Sequence, residues 1–258
     1  MIDTIVAVPD ENGIYNATPH NHGDTILVHG SCRMIPYINY INESTQKYKI
    51  LYLRAYGQDP TKWENNQVLQ KILKSVKIFI YEHSQNIGVL NTDQSQPKHI
   101  FQIGLQPELS IQVPAFNDIL ILFNDYFDQA TKDYTTSLIG QHDPSCLSDD
   151  QIRTIYLDGE QQIQKFLRNC RNTSFPEFAD YFKDNYLSTR LFCSFNHTHR
   201  NYSYKIWELL NSRFLHIPQL PHLASLSFYE NTQTKLHPYD HIHRTFKWQP
   251  EPEENLNN

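Results

Sequence analysis

The tetrapeptide Gly30-Ser31-Cys32-Arg33 combines a thiol with a neighbouring positive charge where the local pattern changes. An apolar strand over 25–30 ends in glycine, and the apolar residues from Cys32 onward recur at helical spacing. A thiol at the start of a helix lies near unpaired backbone N–H groups and the positive end of the helix dipole, which favour the thiolate. We therefore expect a nucleophilic Cys32 of lowered pKa, beside an Arg33 whose N–H can hold an oxyanion. The alternative is that Cys32 is a small apolar residue buried in a turn.

A second candidate site is the segment Asn196-His197-Thr198-His199. It follows a predicted strand and precedes a predicted helix, a position that suits a general base. His197 is the candidate base, and Asn196 is the candidate for orienting its ring or for donating to an oxyanion. The alternative is that these histidines cap the helix or lie solvated in a loop.

Other histidines offer different chemistry. His197-x-His199 and His241-x-His243 have the alternation that places two rings on one face of a strand, a spacing used by metal sites. The chain has 13 histidines, so such pairs arise by chance, and we expect no metal. Asp240 and His243 have the Asp-x-x-His spacing by which one loop can supply an acid and a base, so His243 competes with His197 for the role of base.

Composition excludes some function classes. The chain has 258 residues and a net charge of −6 with 22 Lys and Arg, which argues against general nucleic-acid binding. No stretch approaches the roughly 20 apolar residues of a membrane span, and the first residues lack the basic region of a signal peptide. The cysteines are few and irregularly spaced, so we expect a reducing, cytoplasmic location. They are Cys32, Cys146, Cys170 and Cys193.

The first half of the chain alternates strands with helices. The predicted strands cover 25–30, 47–56, 77–81 and 99–105, and the predicted helices begin at Cys32 and at 63. This alternation predicts a parallel sheet, whose ligands bind beyond the carboxyl ends of the strands. Both Gly30-Ser31-Cys32 and Glu82-His83-Ser84 are expected at that edge, which makes His83 a supporting candidate.

The second half is more helical. Helices are predicted over 114–128, from a capping box at 148–151 to about Cys170 with an interruption at Gly159, from a second capping box at 174–177 to about Tyr186, and over 202–214, with a strand over 190–195. We expect an irregular lead-in over 1–24, one α/β domain over 25–215, and an irregular C-terminal extension over 216–258. The predicted fold is a parallel sheet flanked by helices, with an SGNH-like or flavodoxin-like three-layer core.

With these motifs in view, the arrangement resembles the WcbI family of polysaccharide-biosynthesis acetyltransferases. That family has a strand running into Gly-Asn-Cys-Gln, where this chain has Gly30-Ser31-Cys32-Arg33, and a later strand ending in Asn-His-Pro, where this chain has Asn196-His197-Thr198. The segment FADYFKDNY, 178–186, is also similar. The likeness spans about 25–215, and the Gly-Ser-Cys spelling resembles the related GSCFA group and the wider SGNH superfamily.

The resemblance implies coenzyme A binding and transfer of an acetyl group from acetyl-CoA to a sugar hydroxyl. It implies Cys32 and His197 as catalytic residues, with Asn196 assisting. Gly30, Ser31 and Arg33 are the candidates for stabilising an oxyanion or binding the cofactor. His199 is a supporting candidate. The amides that flank the family's cysteine are replaced here, and Thr198 replaces the proline after the histidine.

Two other functions remain open from the sequence. One is an SGNH-like carbohydrate esterase that uses Cys32 with Asp240 and His243. The other is a non-catalytic protein that binds a ligand in the same pocket. The acceptor, the acyl group and the oligomeric state are not encoded in any motif.

Overall fold

A computed structural model describes residues 14–18, 20–55, 61–83, 100–114, 133, 136–140, 147–186, 189, 191–194 and 197–226. Contacts between residues divide the chain into two compact units. The first unit comprises Met1–Asn117, Thr173–Phe175 and Ile206–Leu223, and the second comprises Asp118–Asn172, Pro176–Lys205 and Ala224–Asn258.

Within the described residues, the first unit contains a five-stranded, mostly parallel sheet in the order β1-β3-β2-β4-β5. The strands are β1 (Ile14–Asn16), β2 (Asp24–Gly30), β3 (Tyr48–Arg54), β4 (Val76–His83) and β5 (Leu109–Pro114). Strands β2 to β5 run parallel, whereas β1 pairs antiparallel with β3 at the edge. The predicted α/β class and parallel sheet are thereby confirmed, and the lead-in contributes the edge strand β1.

The centre of the sheet is the strand that leads to Cys32. All residues of β2 except Asp24 are buried, as expected for an apolar strand that has neighbours on both sides. The helix that follows is α1 (Ile35–Ser44), which a short 3-10 turn, Cys32–Met34, joins to β2. Pro36 lies in the first turn of α1, where its missing N–H costs nothing.

The connection from β3 to β4 contains two short helices in place of the single helix predicted over 63–74. They are α2 (Thr61–Glu64) and α3 (Gln67–Leu73). The break falls at Asn65 and Asn66, and the Asn66 side chain caps α3 by accepting the Leu69 N–H at 2.9 Å. Asparagine is more stable at the N-cap of a helix than in its interior, which explains why the predicted helix is broken into two.

The predicted strand over 99–105 is wrong. Residues 100–102 are helical, and the next strand after β4 in the described part of the chain is β5. The positive φ of Gly104, 122°, turns the chain before β5 begins. Ile100 and Leu105 are fully or almost fully buried in the apolar core that contains Phe79, so the apolar pattern reflects core packing rather than strand pairing.

The second unit is largely helical in its described part. Helix α4 (Asp149–Cys170) begins with the predicted capping box between Ser148 and Gln151. It continues through Gly159, so the predicted interruption there is wrong: a single glycine inside a helix costs only about 1 kcal/mol relative to alanine. Helix α5 (Phe178–Asn185) lacks the predicted capping box, because its cap residue Glu177 makes no side-chain cap hydrogen bond. The hydroxyl of Ser174, in the first unit, instead accepts the Gln112 N–H of β5 at 2.8 Å.

A short strand is present within the range predicted, 190–195. Strand β6 (Phe192–Ser194) pairs antiparallel with β7 (His197–Thr198), and these two form their own small sheet among the described residues. Helix α6 (Arg200–Leu210) follows and continues into a wider π-helical turn, Asn211–Leu215. The described part of the chain contains no helix with both the length and the apolar character that a membrane span needs. Of the predicted helix over 114–128, Pro114 is the last residue of β5, and residues 115–128 lie outside the described residues.

Candidate active site

The carboxyl ends of the four parallel strands lie together at one edge of the sheet. Gly30 at the end of β2 pairs in register with Arg54 at the end of β3, and His83 at the end of β4 pairs with Pro114 of β5. The chain leaves β2 for β3 on one side, and β4 lies on the other side. The Gly30–Cys32 turn therefore emerges at the point where the strand order reverses, which is the usual ligand position in open α/β sheets.

Glycine is required at position 30 for two reasons. Its φ is +154°, a value that residues with a Cβ rarely adopt. A Cβ built there would lie 2.6 Å from Met34 Cγ and 2.7 Å from Glu82 Oε2, closer than real Cβ atoms come to other heavy atoms. The tight turn predicted from the sequence is thus present, and side chains pack directly against its backbone.

A buried carboxylate holds this turn. Glu82, on β4, is only 4% exposed and accepts the Ser31 N–H at 2.6 Å and the Ser31 hydroxyl at 3.2 Å. It also forms an ion pair with the guanidinium of Arg33, a residue that is 7% exposed. The Nε–H of Arg33 donates to Ser31 Oγ at 2.9 Å, which closes a small network behind Cys32. Such a network is stable because each buried charge has partners.

A tyrosine holds the carbonyl side of the same turn. The Tyr52 hydroxyl on β3 lies 2.9 Å from the Ser31 carbonyl oxygen and 3.1 Å from the Gly30 carbonyl oxygen, to which it can donate. Burial, followed by the nearby Glu82 charge, raises the pKa of Tyr52, so the phenol stays protonated and remains a donor. The backbone of the turn is therefore fixed by β3 and β4 together.

Cys32 is the first residue of the 3-10 turn and is partly exposed. Burial raises the pKa of the Cys32 thiol. Arg33 and Arg54 act against this rise, whereas the Glu82 carboxylate adds to it. The expected lowering of this pKa is therefore wrong: the Arg33 charge is present, but desolvation and the neighbouring carboxylate outweigh it. The thiol is protonated near neutral pH and needs a base to become a nucleophile.

The groups of Ser31 and Arg33 that were expected to bind an oxyanion or the cofactor already contact other protein atoms. The Arg33 N–H lies 3.3 Å from Ser31 Oγ, to which it donates, and the Ser31 N–H is bound to Glu82. The Arg33 guanidinium is buried against Glu82. These contacts, rather than an oxyanion or a phosphate, account for the positions of the two N–H groups and the guanidinium.

His83 is a half-buried histidine at the same edge. The Gln112 amide nitrogen lies 2.7 Å from His83 Nδ1. Because an amide nitrogen can only donate, Nδ1 accepts and the neutral ring carries its proton on Nε2. Burial lowers the pKa of His83, which favours this neutral form at pH 7. In this tautomer the ring offers Nε2–H as a hydrogen-bond donor.

His199 has a capping role. Its Nδ1 accepts the Asn201 N–H at 3.3 Å, and its carbonyl oxygen accepts the N–H groups of Tyr202 and Ser203 at the start of α6. The ring is 2% exposed. His199 therefore caps α6, as the alternative interpretation of the segment Asn196–His199 predicted.

The remaining candidate residues are not brought into the site by the described structure. The backbone of His197 lies in β7, in the second unit, and its side chain is outside the described set. Asn196, Asp240 and His243 lie outside the described residues. The pairing of Cys32 with His197 or with His243 stays a prediction.

Sequence reasoning missed the two side chains that hold the turn, Glu82 and Tyr52, and it missed Arg54, whose charge acts on the Cys32 thiol. A signal for Glu82 was present, because its charge directly follows the apolar strand KIFIY at the predicted ligand edge. Parallel pairing then places β4 beside β2, and the carboxylate becomes a partner for the turn. No local signal identified Tyr52, whose hydroxyl acts on a turn 21 residues away.

Comparisons with protein-family models, with curated proteins and with solved structures find no match to this chain. The resemblance to the WcbI family therefore rests on the short motifs around Cys32 and His197 and on the similar segment over 178–186.

Proposed function

We propose that this chain is an O-acyltransferase that moves an acetyl group from acetyl-CoA to a sugar hydroxyl, with Cys32 as the nucleophile. The observation that carries the proposal is a partly exposed thiol on a rigid turn at the reversal point of a parallel sheet. The motif resemblance supplies the acyl chemistry and the substrate class. Counted from β2, the four parallel strands have the order 2-1-3-4, which supports the finer expectation of a flavodoxin-like or SGNH-like core.

The proposed reaction has two steps. In the first, Cys32 loses its proton to a base, and its sulfur attacks the thioester carbonyl carbon; the bond from that carbon to the CoA sulfur breaks, and CoA leaves as the thiol with that proton. In the second, the acceptor hydroxyl loses its proton to the base while its oxygen attacks the acetyl carbon. The bond to Cys32 then breaks, and the cysteine sulfur recovers the proton.

We assign the base to His197, following the resemblance, with Asn196 orienting its ring. A base is needed because burial raises the pKa of the Cys32 thiol. His83 is better suited to donating a hydrogen bond than to accepting a proton, because its Nδ1 is bound to the Gln112 amide. Arg33 is ion-paired with Glu82 and buried, so we assign it to the turn rather than to a CoA phosphate.

The proposal is tested by CoA release from acetyl-CoA in the presence of candidate sugar acceptors. Cys32→Ala is expected to lower turnover by at least about a hundredfold, because it removes the atom that takes the acetyl group. Cys170→Ala is the matched control, since this cysteine is buried in α4 and is expected to leave turnover unchanged.

Turnover that survives Cys32→Ala would contradict the proposal. Cys32-dependent hydrolysis of p-nitrophenyl acetate without any transfer from acetyl-CoA would replace it with the esterase alternative.

A further inference from the structure

The carboxylate of Glu82 contacts two of the three residues that follow Gly30. Its oxygens accept the Ser31 N–H at 2.6 Å and the Ser31 hydroxyl at 3.2 Å, and they pair with Arg33 on the far side of Cys32. Its Cβ also fills the space where a side chain at position 30 would lie. The thiol therefore sits between two residues that one buried group holds in place.

We propose that Glu82 is a positioning residue for Cys32: it locks the turn that presents the thiol, and it offsets the charge of Arg33 beside the sulfur. This inference rests on Cys32 being the reactive group of the proposed function. It assigns Glu82 no direct contact with substrate.

Among the described residues, the charged and titratable groups that act on the thiol come from three elements. Arg33 lies in the 3-10 turn, Arg54 and Tyr52 lie on β3, and Glu82 lies on β4. The two guanidinium groups favour the thiolate, whereas the carboxylate disfavours it. The Tyr52 phenol is neutral and adds no charge. Arg33 and Glu82 form an ion pair of opposite charges, so removing one of them changes the net charge beside the thiol.

Two substitutions remove one charge each while keeping a polar side chain of similar size. Glu82→Gln retains an oxygen that can accept the Ser31 N–H, but it leaves the Arg33 charge without its counter-ion. Arg33→Gln removes the positive charge and leaves the carboxylate. If Glu82 offsets Arg33, the two variants must change the ionisation of Cys32 in opposite directions.

The experiment is the rate of Cys32 alkylation by iodoacetamide as a function of pH, followed by peptide mass mapping of the full chain. Glu82→Gln is expected to lower the pH midpoint of alkylation by about one unit, and Arg33→Gln to raise it by a similar amount. Glu108→Gln is the matched control, because its carboxylate pairs with Lys77 at an exposed position and should leave the midpoint unchanged.

Opposite shifts are the result that supports the inference, since a purely structural role predicts no such sign change. Midpoints that stay within error of the wild type, or that move in the same direction, overturn it. If one variant does not fold, the direction of shift in the other decides. Alkylation needs no acetyl-CoA, so failure of the acyltransferase proposal would not be confused with failure of this one.

Discussion

Replacing Gly30 by alanine is expected to lower the free energy of unfolding by about 4 kcal/mol, the sum of backbone strain and overpacking. The φ of +154° disfavours any residue with a Cβ. The new methyl group would also press on Met34 Cγ and on both the Cβ and the carboxylate of Glu82, at 2.6 to 2.8 Å. Relief requires the chain to move Glu82, and that movement breaks its hydrogen bond to the Ser31 N–H.

Urea denaturation of the full chain measures this loss. Gly104→Ala is the matched control, because Gly104 also has a positive φ, 122°, but the one described atom near a Cβ there would be Lys74 Cε at 4.0 Å. The control should therefore lose only the strain energy, about 1 to 2 kcal/mol. If Gly30→Ala were no more costly than Gly104→Ala, the close packing of Glu82 against the turn would be refuted.

The second large effect is an acid sensitivity that originates at His29. This side chain lies in the central strand β2 and is 2% exposed, with Nδ1 2.8 Å from the Leu53 carbonyl oxygen, to which it donates. The rings of Trp63 and Phe79 lie beside it. Burial lowers the pKa of His29 from 6.5 to about 4, even though the Leu53 hydrogen bond and the Glu82 charge act in the opposite direction.

The sign of the effect follows from proton uptake. Between pH 6.5 and about 4 the unfolded chain binds a proton at His29 and the folded chain does not, so stability falls as the pH falls through this window. The full effect is about 3 kcal/mol, reached below the folded-state pKa. Above pH 6.5 both states hold a neutral ring, and this residue contributes no pH dependence.

His29→Asn tests this origin, because an amide nitrogen can still donate to the Leu53 carbonyl but does not titrate. The free energy of unfolding, measured between pH 7.5 and 4, should fall less steeply in this variant than in the wild type, by about 3 kcal/mol over the window. His20→Gln, which removes a histidine at an exposed position, is the control variant. If the free energy of unfolding fell equally steeply with pH in His29→Asn and in the wild type, His29 would not be the origin of the acid sensitivity.

The first part of the fold could be predicted from the sequence because its signals are local. The apolar runs that became β2, β3 and β4 are each bounded by polar or turn residues, and helical spacing begins directly after Cys32. The rule that alternating strands and helices form parallel sheets then places Gly30 and Glu82 at one edge.

The wrong predictions concern segments whose structure is determined by contacts between residues far apart in the sequence. The segment over 99–105 is apolar because Ile100 and Leu105 fill the core, which a strand pattern cannot distinguish. Ser174 has the spelling of a helix cap, yet its hydroxyl binds the backbone of β5, 62 residues away. In both cases the local sequence pattern is present, but tertiary packing places the residues in a different structural role from the one that the pattern predicts.

The candidate site divides in the same way. Cys32 and the turn at Gly30 are visible in the sequence because a strand ends and a helix begins there. The direction of the Cys32 pKa shift could not be obtained, because it depends on burial and on a carboxylate 50 residues later in the chain. His29 was overlooked because it stands within the apolar run ILVHG and belongs to no motif. Its lowered pKa results from burial in the folded sheet, which the sequence does not show.

The most direct test of the account is the mass of the protein after brief mixing with acetyl-CoA and acid quenching, followed by peptide mapping. We predict the addition of one acetyl group, found on Cys32, absent in Cys32→Ala, and lost when an acceptor sugar is added. An acetyl group mapped to another residue, or turnover without any adduct on Cys32 in the quenched samples, would contradict the assignment of this thiol as the nucleophile.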